Sequence, residues 1–313
     1  MVFPHTKKAK QWISVSITLL IVIALGVAAW LKRDQLRASM DVIKAVPDWT
    51  LGLMGMLFLS TMVLAALAYY YLCLKPLRFR ELLLVELAAA GINRLVPSGV
   101  GSLGVHGVYL HRHKHDGVQL TAVVGTNNAI GIITHLIVLA LFVLLWPQKL
   151  QVGVLRSFSD WAPYLGGLIV LAIVLLAIPV IRKKIRSLYK RFVKNMGVYA
   201  RAPHKVFLAA LASTGITIIN VTMFGLAAHA VGIHIDPIAL FFVYSAGVLV
   251  GTATPTPGGL GGVEAGLVAG LLAYGATPTL ALAAALTFRL ATYWLPIIVG
   301  LPSFVLARKQ KLI

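Results

Sequence analysis

Long apolar runs separated by short polar segments dominate the chain, and most have the length of a membrane-crossing helix. A bilayer core needs about 20 helical residues. The runs 12–31, 49–74, 121–146, 163–181, 206–232 and 279–306 reach that length or fall just short of it. Two further runs are interrupted. The run 82–110 breaks at Pro97-Ser98-Gly99-Val100-Gly101, and the run opened by Pro237 breaks at Thr254-Pro255-Thr256-Pro257-Gly258-Gly259 before ending near Gly275. Nothing alternates as a barrel strand does. The pattern predicts an all-α fold, a polytopic membrane helix bundle with two broken, re-entrant helical hairpins, in one transmembrane domain over 1–313. The segment 32–48 reads as a polar linker.

Composition agrees. The 313 residues are 59% hydrophobic and 12% charged, whereas a soluble domain is about a quarter charged. No polar stretch is long enough for a folded catalytic domain, and a single cysteine, Cys73, excludes an internal disulfide. The formal net charge of +19 would suggest nucleic acid in a soluble protein. Here the bases sit between spans, where they orient the protein and meet anionic headgroups. Lys7, Lys8 and Lys10 precede the run 12–31, which is longer than a signal-peptide core of about 7–15 residues. It reads as a retained first span with a cytoplasmic N-terminus.

Charge also chooses the topology. If each broken run crossed once, the segment 182–205, with nine bases and no acid, would face away from the basic N-terminus. If each run enters and returns, the N-terminal lysines, the 75–80 turn, the 182–205 segment and the C-terminal bases share one side. The positive-inside rule favours the second scheme and puts both termini in the cytoplasm. Its weakest point is 111–117, placed inside with only Arg112 and Lys114 against Asp116. Two span–hairpin–span units follow, about 49–146 and 206–306, with the spans 12–31 and 163–181 outside them. Pro97, Gly99 and Gly101 match Pro257, Gly259 and Gly261. The first unit would start outside and the second inside, making an inverted repeat. Paired broken helices in such repeats mark transporters with a midplane site.

Candidate chemistry gathers at the breaks. Irregular backbone at membrane depth survives only when buried in protein or lining a wet cavity, and intramembrane charges need partners. Glu264 sits in the first turn after the second break, where an acid is favoured. Gly262, Gly266 and Gly270 form a small face for close helix contact. Arg289 shares a helical face with Thr292, Tyr293 and Pro296, and Glu264 is its obvious partner. The pair is either a structural ion pair or part of a phosphate site. Asn93 and Arg94 end the first half-helix, where a cation also serves as a cap. Glu86 would pair with basic neighbours near the interface. A half-helix starting at Ser102 or nearby would offer free N–H groups to a phosphate. The string Gly99–Gly104 matches a dinucleotide fingerprint in letters but lacks its strand and acid. His111, His113 and His115 lie among bases, which disfavours a metal ion, and the sequon at Asn220 falls inside a span.

The strings TPTPGGLGGVEAGLVAGLLAYG and ALTFRLATYWLPIIVG resemble the lysylphosphatidylglycerol synthase transmembrane-region family, the flippase-like integral membrane proteins, and the likeness runs from about Trp12 to Leu306. The stretch NRLVPSGVGSLG is similar to the family's other signature, with Ser102 at its acid position and Ser98 at its second glycine. The resemblance implies a cytoplasmic membrane and movement of a phospholipid or lipid-linked headgroup between leaflets. The chain stops at Ile313, so no synthase activity, and no cofactor, is expected. Residues expected to bind substrate are Asn93, Arg94, Ser102, Pro257, Gly258, Gly259, Gly261, Glu264, Arg289 and Tyr293. Expected partners are membrane phospholipids with anionic headgroups, not nucleic acid. Small-residue faces leave room for a homodimer, and the segment 182–205 could recruit a soluble synthase. An intramembrane enzyme or enzyme subunit acting on lipid-linked substrates is the alternative of another class.

Overall fold

The computed structural model describes residues 33–96, 100–146, 197–199, 202–254 and 256–313. The expected spans 12–31 and 163–181, most of the basic segment 182–205 and the tip of the first break, 97–99, lie outside the described residues. Among the described residues the fold is all-helical. The elements are α1 (Arg33–Lys44), α2 (Asp48–Leu72), α3 (Phe79–Leu95), α4 (Val100–Arg112), α5 (Gly117–Leu145), α6 (Pro203–Ala230), α7 (Pro237–Ala253), α8 (Gly262–Ala273), α9 (Pro278–Arg289) and α10 (Leu295–Lys309). A π-helical turn, Leu290–Trp294, joins α9 to α10. Among the described residues, four helical stretches are long and apolar enough to cross a membrane: Asp48–Leu72, Gln119–Leu145, Pro203–Ala230 and Pro278–Lys309.

The segment read as a linker is instead mostly helix α1. Its polar composition hid it, because only one edge is apolar. Val42 and Ile43, with Val46 just beyond, pack into the core around Phe224 and Leu271, and the Ser39 hydroxyl donates to the Thr279 carbonyl at 3.1 Å.

Both broken runs fold back on themselves. In hairpin one (α3–α4), Glu81 faces His113, Glu86 faces His106, and Asn93 faces Ser102. In hairpin two (α7–α8), Val243 faces Gly270, Gly247 faces Gly266, and Gly251 faces Val263. Both sets of pairs are antiparallel. The glycine face of α8 lets the arms touch: a Cβ on Gly266 would lie 2.8 Å from the Gly247 Cα. Hairpin one packs through α3 against α10, where a Cβ on Gly91 would lie 2.8 Å from the Gly300 Cα.

Cross-contacts order the ends of the bundle. At one end Arg112 donates to the Lys311 carbonyl at 2.7 Å, and Lys75 donates to the Lys114 carbonyl. Tyr199 donates to the Leu72 carbonyl at 2.7 Å, and Lys205 to that of Cys73 at 3.4 Å. This end gathers the feet of hairpin one, the C-terminus and many bases. Burial pushes the Cys73 thiol up to about 12, against the pull of Lys205, so this cysteine is inert at neutral pH. At the other end lie α1, the α6–α7 turn and the α8–α9 turn, packed through Val46, Val231, Ile235 and Ala276. The feet of hairpin two are here. The segment 111–117, the weak point of the charge argument, does sit with the other bases.

Candidate functional site

The second break is built by glycine backbone and threonine hydroxyls. Gly258, Gly259 and Gly261 have φ of 57°, 67° and 81°, a region that side chains avoid. Thr256 closes the turn by donating to the Leu260 carbonyl at 2.8 Å. Glu264 then locks it. One carboxylate oxygen accepts from the Gly261 N–H at 2.8 Å, and the other from Arg289 Nε at 2.8 Å. Arg289 Nη2 donates to the Gly258 carbonyl at 3.1 Å, and the guanidinium carbon lies 4.6 Å from the centre of the Tyr293 ring. The pair is well buried, with 5% of the Arg289 side chain and 15% of Glu264 exposed. The expected partnership of Glu264 and Arg289 is therefore present. The π-helical turn follows Arg289 directly and carries Thr292 and Tyr293, both buried.

The end of α3 meets the second break. Arg94, one residue before the end of α3, reaches Gly258: a Cβ there would lie 3.0 Å from Arg94 Cδ and 2.8 Å from the Tyr293 ring. Tyr293 also donates to the Arg94 carbonyl at 3.4 Å. Between the end of α3 and the second break is a cavity of about 720 Å³ lined by Asn93, Arg94, Thr254, Thr256, Gly258 and Arg289 on its polar side, with Val248, Leu267 and Phe288 on its apolar side. That volume is typical of small-molecule sites. The cavity reaches the surface at the exposed Thr252 and Ala253, beside the exposed Leu249 and Val250.

Arg94 is the unusual group. Its Nε is buried without a hydrogen-bond partner, and its side chain makes no ion pair with any described residue. The one acid nearby, Glu264, is committed to Arg289 and Gly261. Two guanidinium groups thus face one cavity, and the one carboxylate at hand is spent on Arg289.

Of the residues expected to bind substrate, Asn93, Arg94, Gly258, Gly259 and Arg289 line the cavity. Tyr293 supports it, and Glu264 and Gly261 stand behind Arg289. Pro257 belongs to the turn but not to the lining. Ser102 is turned the other way. Helix α4 starts at Val100, close to Ser102 as expected, and the Ser102 N–H faces Asn93 Oδ1 at 3.5 Å while its hydroxyl lies 3.2 Å from His106 Nδ1. Protein groups thus occupy the N–H of Gly261 and of Ser102.

Glu86 is corrected. It is buried, and its carboxylate contacts His106 Nε2 at 2.8 Å, not interfacial bases. His106 was not singled out from the sequence. The available signal was spacing: it falls one turn after Ser102 on an otherwise apolar arm. The histidines at 111–115 disperse. His111 is exposed, His113 pairs with Glu81 at 3.3 Å, and His115 is buried. Burial lowers the His115 pKa, and the charges of Lys75 and His113 add to that. No three metal-ligating side chains converge among the described residues.

The family model described as "Lysylphosphatidylglycerol synthase TM region" matches residues 12–300. No curated protein matches the chain.

Proposed function

We propose a lipid-moving role, from the premise that this chain belongs to the lysylphosphatidylglycerol synthase TM-region family. The protein carries a phospholipid or lipid-linked headgroup between leaflets and leaves its covalent bonds intact. The headgroup phosphate sits in the cavity between the hairpin tips, and the acyl chains stay in the bilayer beyond Thr252 and Ala253.

The observation that carries this reading is the unpaired Arg94. Arg94 is half-buried with its Nε sealed off from any hydrogen-bond partner, a costly placement for a cation, and intramembrane charges of this kind mark substrate pathways. Two guanidinium groups against one carboxylate leave one positive charge in excess. A phosphodiester supplies one negative charge and oxygens suited to guanidinium donors. Glu264 does not face the ligand in this scheme. It holds Arg289 in place and closes the glycine turn. The geometry also suits an inverted repeat, since each hairpin has its feet at a different end of the bundle and the end of α3 meets the second break between them.

The test is leaflet-resolved movement of fluorescent phosphatidylglycerol in proteoliposomes. Arg94→Gln is expected to abolish movement while keeping or raising the melting temperature, because it removes an unpaired charge. Arg289→Gln is expected to abolish movement and lower the melting temperature, because it strands Glu264. Wild-type rates in both variants would overturn the proposal. Release of a chemically altered headgroup by the purified protein would replace it with an enzymatic one.

A further inference from the structure

Hairpin one holds a second buried polar assembly, separate from the anion cavity. His106 is 1% exposed, and the Glu86 side chain 8%. His106 Nδ1 lies 2.9 Å from the Ser102 carbonyl. A carbonyl only accepts, so Nδ1 carries a hydrogen. That fixes the tautomer and leaves Nε2 as the variable nitrogen. Nε2 lies 2.8 Å from Glu86 Oε1. Two lone pairs do not sit at that distance, so one proton lies between them. The pair is neutral overall, as imidazolium with carboxylate or as imidazole with carboxylic acid.

We propose that the Glu86–His106 pair is the binding site of a coupling proton, taken up and released once in each transport cycle. The proposal rests on the lipid-moving reading. Releasing the proton to water leaves a carboxylate facing a lone pair, with a net buried negative charge. Adding a second proton leaves a net positive one. Neither is tolerated in a dry interior without rearrangement, so a change of protonation changes the shape of the hairpin. No covalent bond other than the N–H or O–H of that proton forms or breaks.

The surroundings leave the pair as the titrating unit. From α2, Tyr69 stacks on His106 with ring centres 4.1 Å apart and planes 7° from parallel. Cys73 follows at the end of α2. On α5 the one titratable side chain is the distant His135, and α10 brings none before Arg308. Within the hairpin, Tyr109 and the His113–Glu81 pair lie toward the feet, and Arg94 lies at the tip. Glu86 Oε2 makes no hydrogen bond to a described residue, and Glu86 is the more accessible partner, so the proton passes through it.

A link to the cavity is present. Ser102 holds His106 through its carbonyl, while its N–H faces Asn93, which lines the cavity. Loss of the His106 contact loosens Ser102 and, through it, the tip that presents Asn93 and Arg94.

The experiment uses phosphatidylcholine vesicles with fluorescent phosphatidylglycerol, a pH dye in the lumen and an imposed pH gradient. The expected result is that lipid movement responds to the gradient, and that a lipid gradient alone drives proton flux. Both responses should vanish in Glu86→Gln and His106→Gln. Wild-type protein that moves lipid with no proton flux and no response to the gradient would overturn the coupling site and leave the transport proposal standing. Wild-type protein that moves no lipid under any gradient would overturn both. A gradient response retained in the two folded variants would remove the assignment to this pair. If the variants fail to fold, the wild-type flux decides alone.

Discussion

Arg94 and Arg289 lie in one cavity with opposite energetics. Arg289 is fully employed, held by Glu264, the Gly258 carbonyl and the Tyr293 ring, whereas Arg94 is held by packing alone. Removing one partner of a buried ion pair strands the other, at a cost of about 3–5 kcal/mol, while replacing both with apolar groups is often neutral. Glu264→Ala should therefore lower the melting temperature in detergent sharply, and Glu264→Leu with Arg289→Met should recover most of the loss. A double variant as unstable as the single one would mean that the carboxylate acts mainly through its bond to the Gly261 N–H. The ion pair was legible in the sequence because few acids lie in apolar segments, and Glu264 is one. The Glu86–His106 pair was not, because a carboxylate seven residues into a half-helix looks interfacial until the opposite arm is folded against it.

The hairpin is the element that decides the site, and its tip depends on Gly258. A side chain there meets two obstacles. The φ of 57° costs an L-residue roughly 1–2 kcal/mol, and the new Cβ would press on the Tyr293 ring at 2.8 Å and Arg94 Cδ at 3.0 Å. Gly275 shares the left-handed backbone, with φ of 84°, but has open space around it. Gly258→Ala should therefore destabilise more than Gly275→Ala and should abolish lipid movement, while Gly275→Ala keeps it. Equal melting temperatures would show that the tip relaxes around the methyl group. Proline and glycine at 257–261 made this break visible from the sequence. Helix α1 was missed because a 12-residue helix with one apolar edge resembles a linker when hydropathy is averaged. The π-helical turn after Arg289 was missed because apolar composition carries no record of local register.

At the scale of the whole molecule, the prediction concerns orientation. The sequence placed its bases on one side only if both broken runs turn back, and among the described residues the contacts of Lys75, Arg112, Lys114, Lys205 and Lys311 bring the 75–80 turn, 111–117, Lys205 and the last helix to one end. The other end carries Asp34, Asp41, Asp48 and Asp236 beside Arg33, Arg37 and Lys44, so its charges nearly balance. An end rich in Lys and Arg stays in the cytoplasm because translocating it is unfavourable. Cys73 is buried with a raised pKa, so Cys73→Ser gives a silent background for single exposed cysteines. In that background Lys44→Cys should react with a membrane-impermeant maleimide added to intact cells. Lys311→Cys, exposed at the opposite end, should react only after permeabilisation. The reverse pattern would turn the protein over and place the feet of hairpin one outside. The cavity would survive that result, since it lies between the end of α3 and the second break, but each hairpin would then open toward the leaflet opposite to the one inferred from charge.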